Sequence, residues 1–148
     1  MEPDKDKRRK SEIVSTLAML RGVTFAVGHV TGYRHTADRE RARQTVMAAL
    51  LPWLAKAGVE SILIELRDTK SLQVADTRTV AALRTADLLP SETSVRQGRP
   101  SEEPLLWIAD ACAAAWRRAM AEGKGNWAQW YEPHTALLEV PFPDRRGR

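Results

Sequence analysis

Residues 59–67 read VESILIELR, and this stretch decides the fold. Its apolar residues fall on both alternating faces, with Ile62, Ile64 and Leu66 on one and Leu63 on the other. A strand that is apolar on both sides needs cover on both sides, which predicts a central position in a sheet flanked by helices. On its N-terminal side, residues 23–30 read as a strand, residues 31–33 (TGY) as a turn, and residues 36–58 as the clearest helix of the chain. Thr36 is that helix's N-cap candidate, and Asp38 and Glu40 sit in its first turn, where negative charge suits the helix dipole. Its predicted apolar stripe is Ala42, Val46, Ala49, Leu50 and Trp53, Gly58 closes it, and Pro52 predicts a kink or a fresh start of the last turn.

On the C-terminal side, Asp76 is placed to cap a helix that runs to about residue 89 and stops at Pro90. A short strand is expected over residues 93–97. A helix then starts at Ser101 or Glu103 and runs to about residue 121, with Pro104 tolerated in its first turn. Residues 127–131 read as a helical turn and residues 136–142 as a last strand, while a helix over residues 5–19 opens the chain. Strand and helix signals alternate throughout with no internal repeat, which predicts the α/β class. The expected organisation is a charged segment over residues 1–10, one α/β domain over residues 11–142, and a basic tail over residues 143–148.

The 148 residues carry 23 Lys and Arg against 19 Asp and Glu, a net charge of +4. The excess is not spread evenly: residues 1–10 and residues 144–148 hold +2 each, and the intervening body is neutral. A nucleic-acid footprint is a clustered basic face, so the net charge by itself does not establish one. The single Cys112 cannot form an internal disulfide, so nothing points to an oxidising compartment. The longest apolar stretch, residues 105–116, contains Asp110 and is shorter than the roughly 20 residues a bilayer span needs. The N-terminus lacks a secretory cleavage pattern. The expectation is a cytoplasmic protein without membrane association.

Two carboxylates carry the chemical signal. Asp110 is the only charge in LLWIADACAAAW and has apolar neighbours one turn away on either side. Buried there it must protonate, pair with a cation or bind a metal; otherwise it points to solvent or to an arginine. Glu65 sits late in the strand that reads as most buried, and open α/β sheets take ligands beyond the carboxyl ends of their strands. The alternative for Glu65 is a structural ion pair, with Arg67 on the same face. Oxygen ligands from a strand and a helix suit Mg or Mn, and such ions clamp the oxygens of phosphodiester cleavage. Glu102 and Glu103 at a helix start read first as dipole-compensating residues. His29, His35 and His134 show no zinc-ligand spacing, and Cys112 reads as a packed small hydrophobe. Arg39, Arg41 and Arg43 interleave with acids as a solvated helix face, while Trp127, Trp130 and Tyr131 are candidates for base stacking or for packing.

The block RPSEEPLLWIADACAAA at residues 99–115, with ILIELR at residues 62–67 and KDKRRKSEIVSTLAML at residues 5–20, resembles actinobacterial members of the family called domain of unknown function 3800. The resemblance spans about residues 5–122. It implies a ribonuclease H-like three-layer domain with metal-dependent phosphodiester hydrolysis as the ancestral chemistry. By position, Glu65 and Asp110 are the catalytic, metal-holding carboxylates, Glu103 and Asp76 further acidic positions, and Mg or Mn the cofactor. The family's opening strand with its first Asp has no counterpart here, so the expected domain is incomplete at the N-terminus. Such a domain is either inactive, completed by a partner chain, or read from too late a start codon. An exposed sheet edge predicts self-association. The alternative is a noncatalytic interaction or nucleic-acid-binding protein on the same scaffold, using the basic tails and Arg39, Arg43 and Arg67.

Overall fold

The computed structural model describes residues 24–122 and 135–143, together with the single positions Arg8, Glu12 and Thr16. Its elements are β1 (Phe25–Thr31), a 3-10 turn (Thr36–Asp38), α1 (Arg39–Lys56), β2 (Ser61–Glu65), α2 (Lys70–Thr85), β3 (Ser94–Gly98), α3 (Leu105–Glu122) and β4 (Thr135–Pro141). The chain is mixed α/β, as the alternating signals imply. Arg8, Glu12 and Thr16 are helical, and Arg8 pairs with Glu12 one turn on at 3.6 Å. The remainder of the expected opening helix and the expected turn at 127–131 lie outside the described residues.

Two compact units share the described chain. One holds residues 24–27, 103–122 and 135–136, and the other residues 28–102 and 137–143. In the second unit β2, α2 and β3 form a parallel βαβ unit, with Ser61 opposite Ser94 and Glu65 opposite Gly98. The ladder runs one residue further, Leu66 N–H donating to the Gly98 carbonyl at 2.8 Å. Period-two alternation turns Ile62 and Ile64 to one face of β2, where they meet Val95 of β3. Met47, Leu51, Leu54 and Ala55 of α1 and Val80 and Leu83 of α2 pack on that same face, and Leu89 seals the end of the cluster at 2% exposure. The expectation of a central strand is corrected here: among the described residues β2 pairs with β3 alone. On its other face Leu63 is only half-buried, and Ser61 and Glu65 are exposed.

The α1 stripe also differs from the sequence reading. Met47 and Leu51 are buried, whereas Trp53 is 38% exposed. Residues 46–54 (VMAALLPWL) are apolar nearly all round the helix, so periodicity alone does not choose the face. Pro52 is accommodated without a break. It removes one helix donor, the partner of the Ala48 carbonyl, and Ala48 lies on the exposed side of the helix. At the end of α1, Gly58 adopts φ +90, the Val59 N–H reaches the Leu54 carbonyl and the Gly58 N–H the Ala55 carbonyl, both at 3.1 Å. These two bonds are the Schellman pattern that a left-handed residue permits.

Asp76 does not cap α2. The cap is Thr69, whose hydroxyl accepts from the Leu72 N–H at 3.4 Å, and Asp76 lies inside the helix. Nor does α2 wait for Pro90. It stops at Thr85 through a second Schellman end, with Asp87 at φ 56 and the Leu88 N–H on the Leu83 carbonyl at 2.9 Å. Arg84 then ties down the connector to β3, donating to the carbonyls of Pro90 at 2.7 Å and Thr93 at 2.8 Å.

In the other unit, Cys112, Ala115 and Trp116 of α3 are buried with Phe25 of β1, with Ile108, Ala119 and Val27 packed against them. Positions 108, 112, 115, 116 and 119 recur at helical spacing and form one face. β1 pairs with β4, and the Phe142 N–H extends that pairing onto the Thr31 carbonyl at 3.0 Å. Gly28 of β1 permits a close approach: a Cβ there would lie 2.7 Å from Cγ1 of Val46. Among the described residues, no helix is long and apolar enough to cross a membrane.

Candidate functional site

Asp76 is the most buried charge of the second unit, 1% exposed on the inner face of α2. A carboxylate removed from water needs several donors, and α1 supplies two of them from consecutive residues. Arg43 Nη2 donates to Oδ2 at 2.8 Å, and Gln44 Nε2 donates to Oδ1 at 2.8 Å. Arg67, just past the end of β2, brings Nη1 within 3.7 Å of Oδ1. The same guanidinium forks onto Glu40, with Nη2 to Oε2 at 2.8 Å and Nη1 to Oε1 at 3.2 Å. Gln44 Nε2 also donates to Glu40 Oε1 at 2.8 Å, and its amide oxygen accepts from the Thr79 hydroxyl at 2.6 Å. Gln73 holds the Arg67 carbonyl at 2.8 Å, which fixes the segment that carries the guanidinium.

The electrostatics follow from this geometry. The Arg67 hydrogen bonds hold the Glu40 carboxyl below its ordinary value of 4.5 against the opposing effect of burial, with help from Gln44 and Arg43. Reciprocally, Glu40 raises the Arg67 pKa. Two carboxylates and two guanidiniums thus neutralise one another in a closed set. One buried donor is left over: Arg43 Nε has no hydrogen-bond partner among the described residues.

The metal ligands expected from sequence do not converge on this point. Asp76 fits a metal poorly, because both its oxygens already accept hydrogen bonds from cationic or amide donors and a guanidinium stands where a cation would have to sit. Glu65 is exposed at the carboxyl end of β2 and takes no part in the network. Asp110 belongs to the other unit and is exposed on α3 beside Ala109, Ala113 and Ala114, opposite the buried face, so it escapes the desolvation its apolar sequence neighbours suggest. Glu103 is half-buried just before α3, where its carbonyl accepts the Leu106 N–H. Among the described residues, no group of three His, Cys, Asp or Glu side chains could hold a metal ion. Arg43 and Arg67, expected on a nucleic-acid-binding face, are instead committed to Asp76 and Glu40; Arg39 alone of the three is exposed. Cys112 is a buried packing residue, and burial pushes its thiol up to about 11.

A second constellation in the same unit went unread in the sequence. Where β1 and β4 end side by side, Tyr33 and Phe142 lie with ring centroids 6.1 Å apart and tilted by 47°. The Arg41 guanidinium sits 5.0 Å above the Phe142 ring. A cleft of about 300 Å³ opens here between the Gly32–His35 turn, Asp38 and Phe142. Tyr33 is 40% exposed, Arg34 and His35 are exposed in the same cleft wall, and Arg41 is exposed over Phe142. No sequence signal joins Tyr33 to Phe142 across more than a hundred residues; the strand pairing does. The T-G-Y-R-H turn, with an aromatic between a glycine and two basic residues, was the one available hint.

No family model, curated protein or solved structure matches this chain.

Proposed function

We propose that this chain is a noncatalytic nucleic-acid-binding domain built on an α/β scaffold of ribonuclease H-like descent. The observation that carries the reading is the cationic and aromatic cluster in which Arg41 lies over Phe142, with exposed Arg34 lining the same cleft. The cluster supplies the clustered positive charge that the net charge alone does not establish. The basic residues Arg145, Arg146 and Arg148 follow Phe142 in the sequence and add charge to the same end of the chain. Asp76 supports the noncatalytic half of the reading, since its carboxylate serves Arg43 and Gln44 rather than an ion.

The test is fluorescence anisotropy of labelled oligonucleotides across a salt series. Phosphate contacts made by arginine give a logarithmic salt slope of about −0.7 per contact on a single strand. Binding that weakens with this kind of slope, and a slope that flattens in Arg41→Ala, is the expected result. No binding at low salt would end the reading.

A second reading keeps one observation in its favour. Glu65 is an exposed carboxylate at the carboxyl end of a parallel strand, the usual ligand edge of an α/β sheet. In that reading Glu65 binds Mg or Mn. Calorimetric titration of either ion, with Glu65→Gln as the control, decides it: heat that disappears in the variant supports it, and no heat removes it.

A further inference from the structure

We infer that the cleft between Tyr33 and Phe142 is a stacking site for an unpaired nucleobase, so that the nucleic acid bound is single-stranded. The inference rests on the nucleic-acid-binding reading above and names the form of its ligand. Three features of the cleft point the same way. An exposed aromatic ring, Tyr33, stands beside a second ring, Phe142, whose other neighbour is the Arg41 guanidinium. Rings and guanidinium planes are the groups on which splayed bases stack, and they favour no particular sequence. The volume of about 300 Å³ is at the small end for a ligand cleft and suits a base rather than a duplex groove.

The charges are arranged to match. Arg34 and Arg41 are exposed, and the Arg34 side chain has no partner among the described residues. Asp38, in the wall of the cleft, is only 8% exposed. Cations therefore stand at the surface, where phosphates pass, and the one carboxylate is withdrawn from it. An uncharged planar base is the part of a nucleotide that enters such a cleft, with its phosphates left outside. A duplex keeps its bases paired and stacked, so only its phosphates could be used here.

The experiment compares three labelled probes of equal length at one low salt concentration: a thymidine single strand, an abasic strand with the same phosphates, and a duplex. The full chain should bind the thymidine strand at least about 5-fold more tightly than the abasic strand. In Tyr33→Ala that preference should vanish while abasic and duplex binding stay within about twofold of the parent. Phe142→Leu, which keeps an apolar side chain under Arg41, should reduce the preference without unfolding the domain, checked by circular dichroism. Equal binding of the thymidine and abasic strands by the parent, or a preference untouched by both substitutions, overturns the stacking site while leaving nucleic-acid binding intact. Failure to bind any of the three probes overturns the parent reading and this inference together. Polyglutamate binding as tightly as the thymidine strand would reassign the cleft to an acidic protein partner.

Discussion

Arg43 Nη2 donates to Asp76 Oδ2 at 2.8 Å, joining α1 to α2 through a carboxylate that is 1% exposed. Around this bond Gln44, Arg67 and Glu40 close a polar network on top of the apolar layer formed by Met47, Leu51, Ile62 and Leu83. Arg67, just past the carboxyl end of β2, ties that strand into the network.

Removing Asp76 leaves Arg43 and Arg67 without their shared counter-charge. Breaking one side of a buried ion pair costs about 3 kcal/mol. Asp76→Ala should lose roughly that much in urea unfolding, and Asp76→Ala with Arg43→Ala should cost about 1 kcal/mol less than the sum of the two. Additive single losses would mean that the pair carries no coupling.

The depressed Glu40 carboxyl makes a pH prediction. Because Arg67 lowers its folded pKa below 4.5, the unfolded chain takes up the proton first as pH falls. Its stabilisation is therefore complete above about 4.5 and is lost as pH drops through the lowered folded value. Thermal unfolding followed from neutral pH downward should decline less steeply in this acid range for Glu40→Gln than for the parent. Parallel curves would contradict the Arg67 assignment.

The two helix ends separate by residue type. Gly58 and Asp87 both hold left-handed conformations, at φ +90 and φ 56. A side chain in this region costs roughly 1 kcal/mol, so Gly58→Ala should destabilise by about that amount. Asp87→Gly should stabilise by about 0.5 kcal/mol after the entropy of the more flexible unfolded chain is counted. A denaturation midpoint moving the other way for Asp87→Gly would show that the aspartate makes a compensating contact.

Gly28 tests the packing of β1 on α1. A Cβ at Gly28 would lie 2.7 Å from Val46 Cγ1, and a β-branched side chain has few rotamers with which to yield. Gly28→Ala should cost about 1 to 3 kcal/mol. Adding Val46→Ala should recover part of it; no recovery would place the strain elsewhere.

The sequence was most readable where local chemistry settles the outcome. Strands expected over residues 59–67 and 93–97 form over Ser61–Glu65 and Ser94–Gly98, and Gly58 marks the end of α1 because a left-handed position there needs it. It was least readable where the answer depends on what lies opposite. Asp110 has apolar neighbours in sequence, yet its face of α3 is the exposed one. Asp76 reads as a cap, since nothing in its own segment announces Arg43 and Gln44 some thirty residues earlier. Tyr33 and Phe142 meet only because β1 and β4 pair, and the residues between them in the chain carry no mark of that pairing.

The most direct test of a nucleic-acid-binding domain without catalysis is a single measurement on a labelled single strand. The strand is incubated with the full chain in Mg or Mn and in a chelator, and both its affinity and its length are read. The expected result is binding that does not require the ion and a strand that stays intact in both conditions. Shortening of the strand that requires the ion and disappears in Glu65→Gln would contradict it and establish the metal-dependent reading instead.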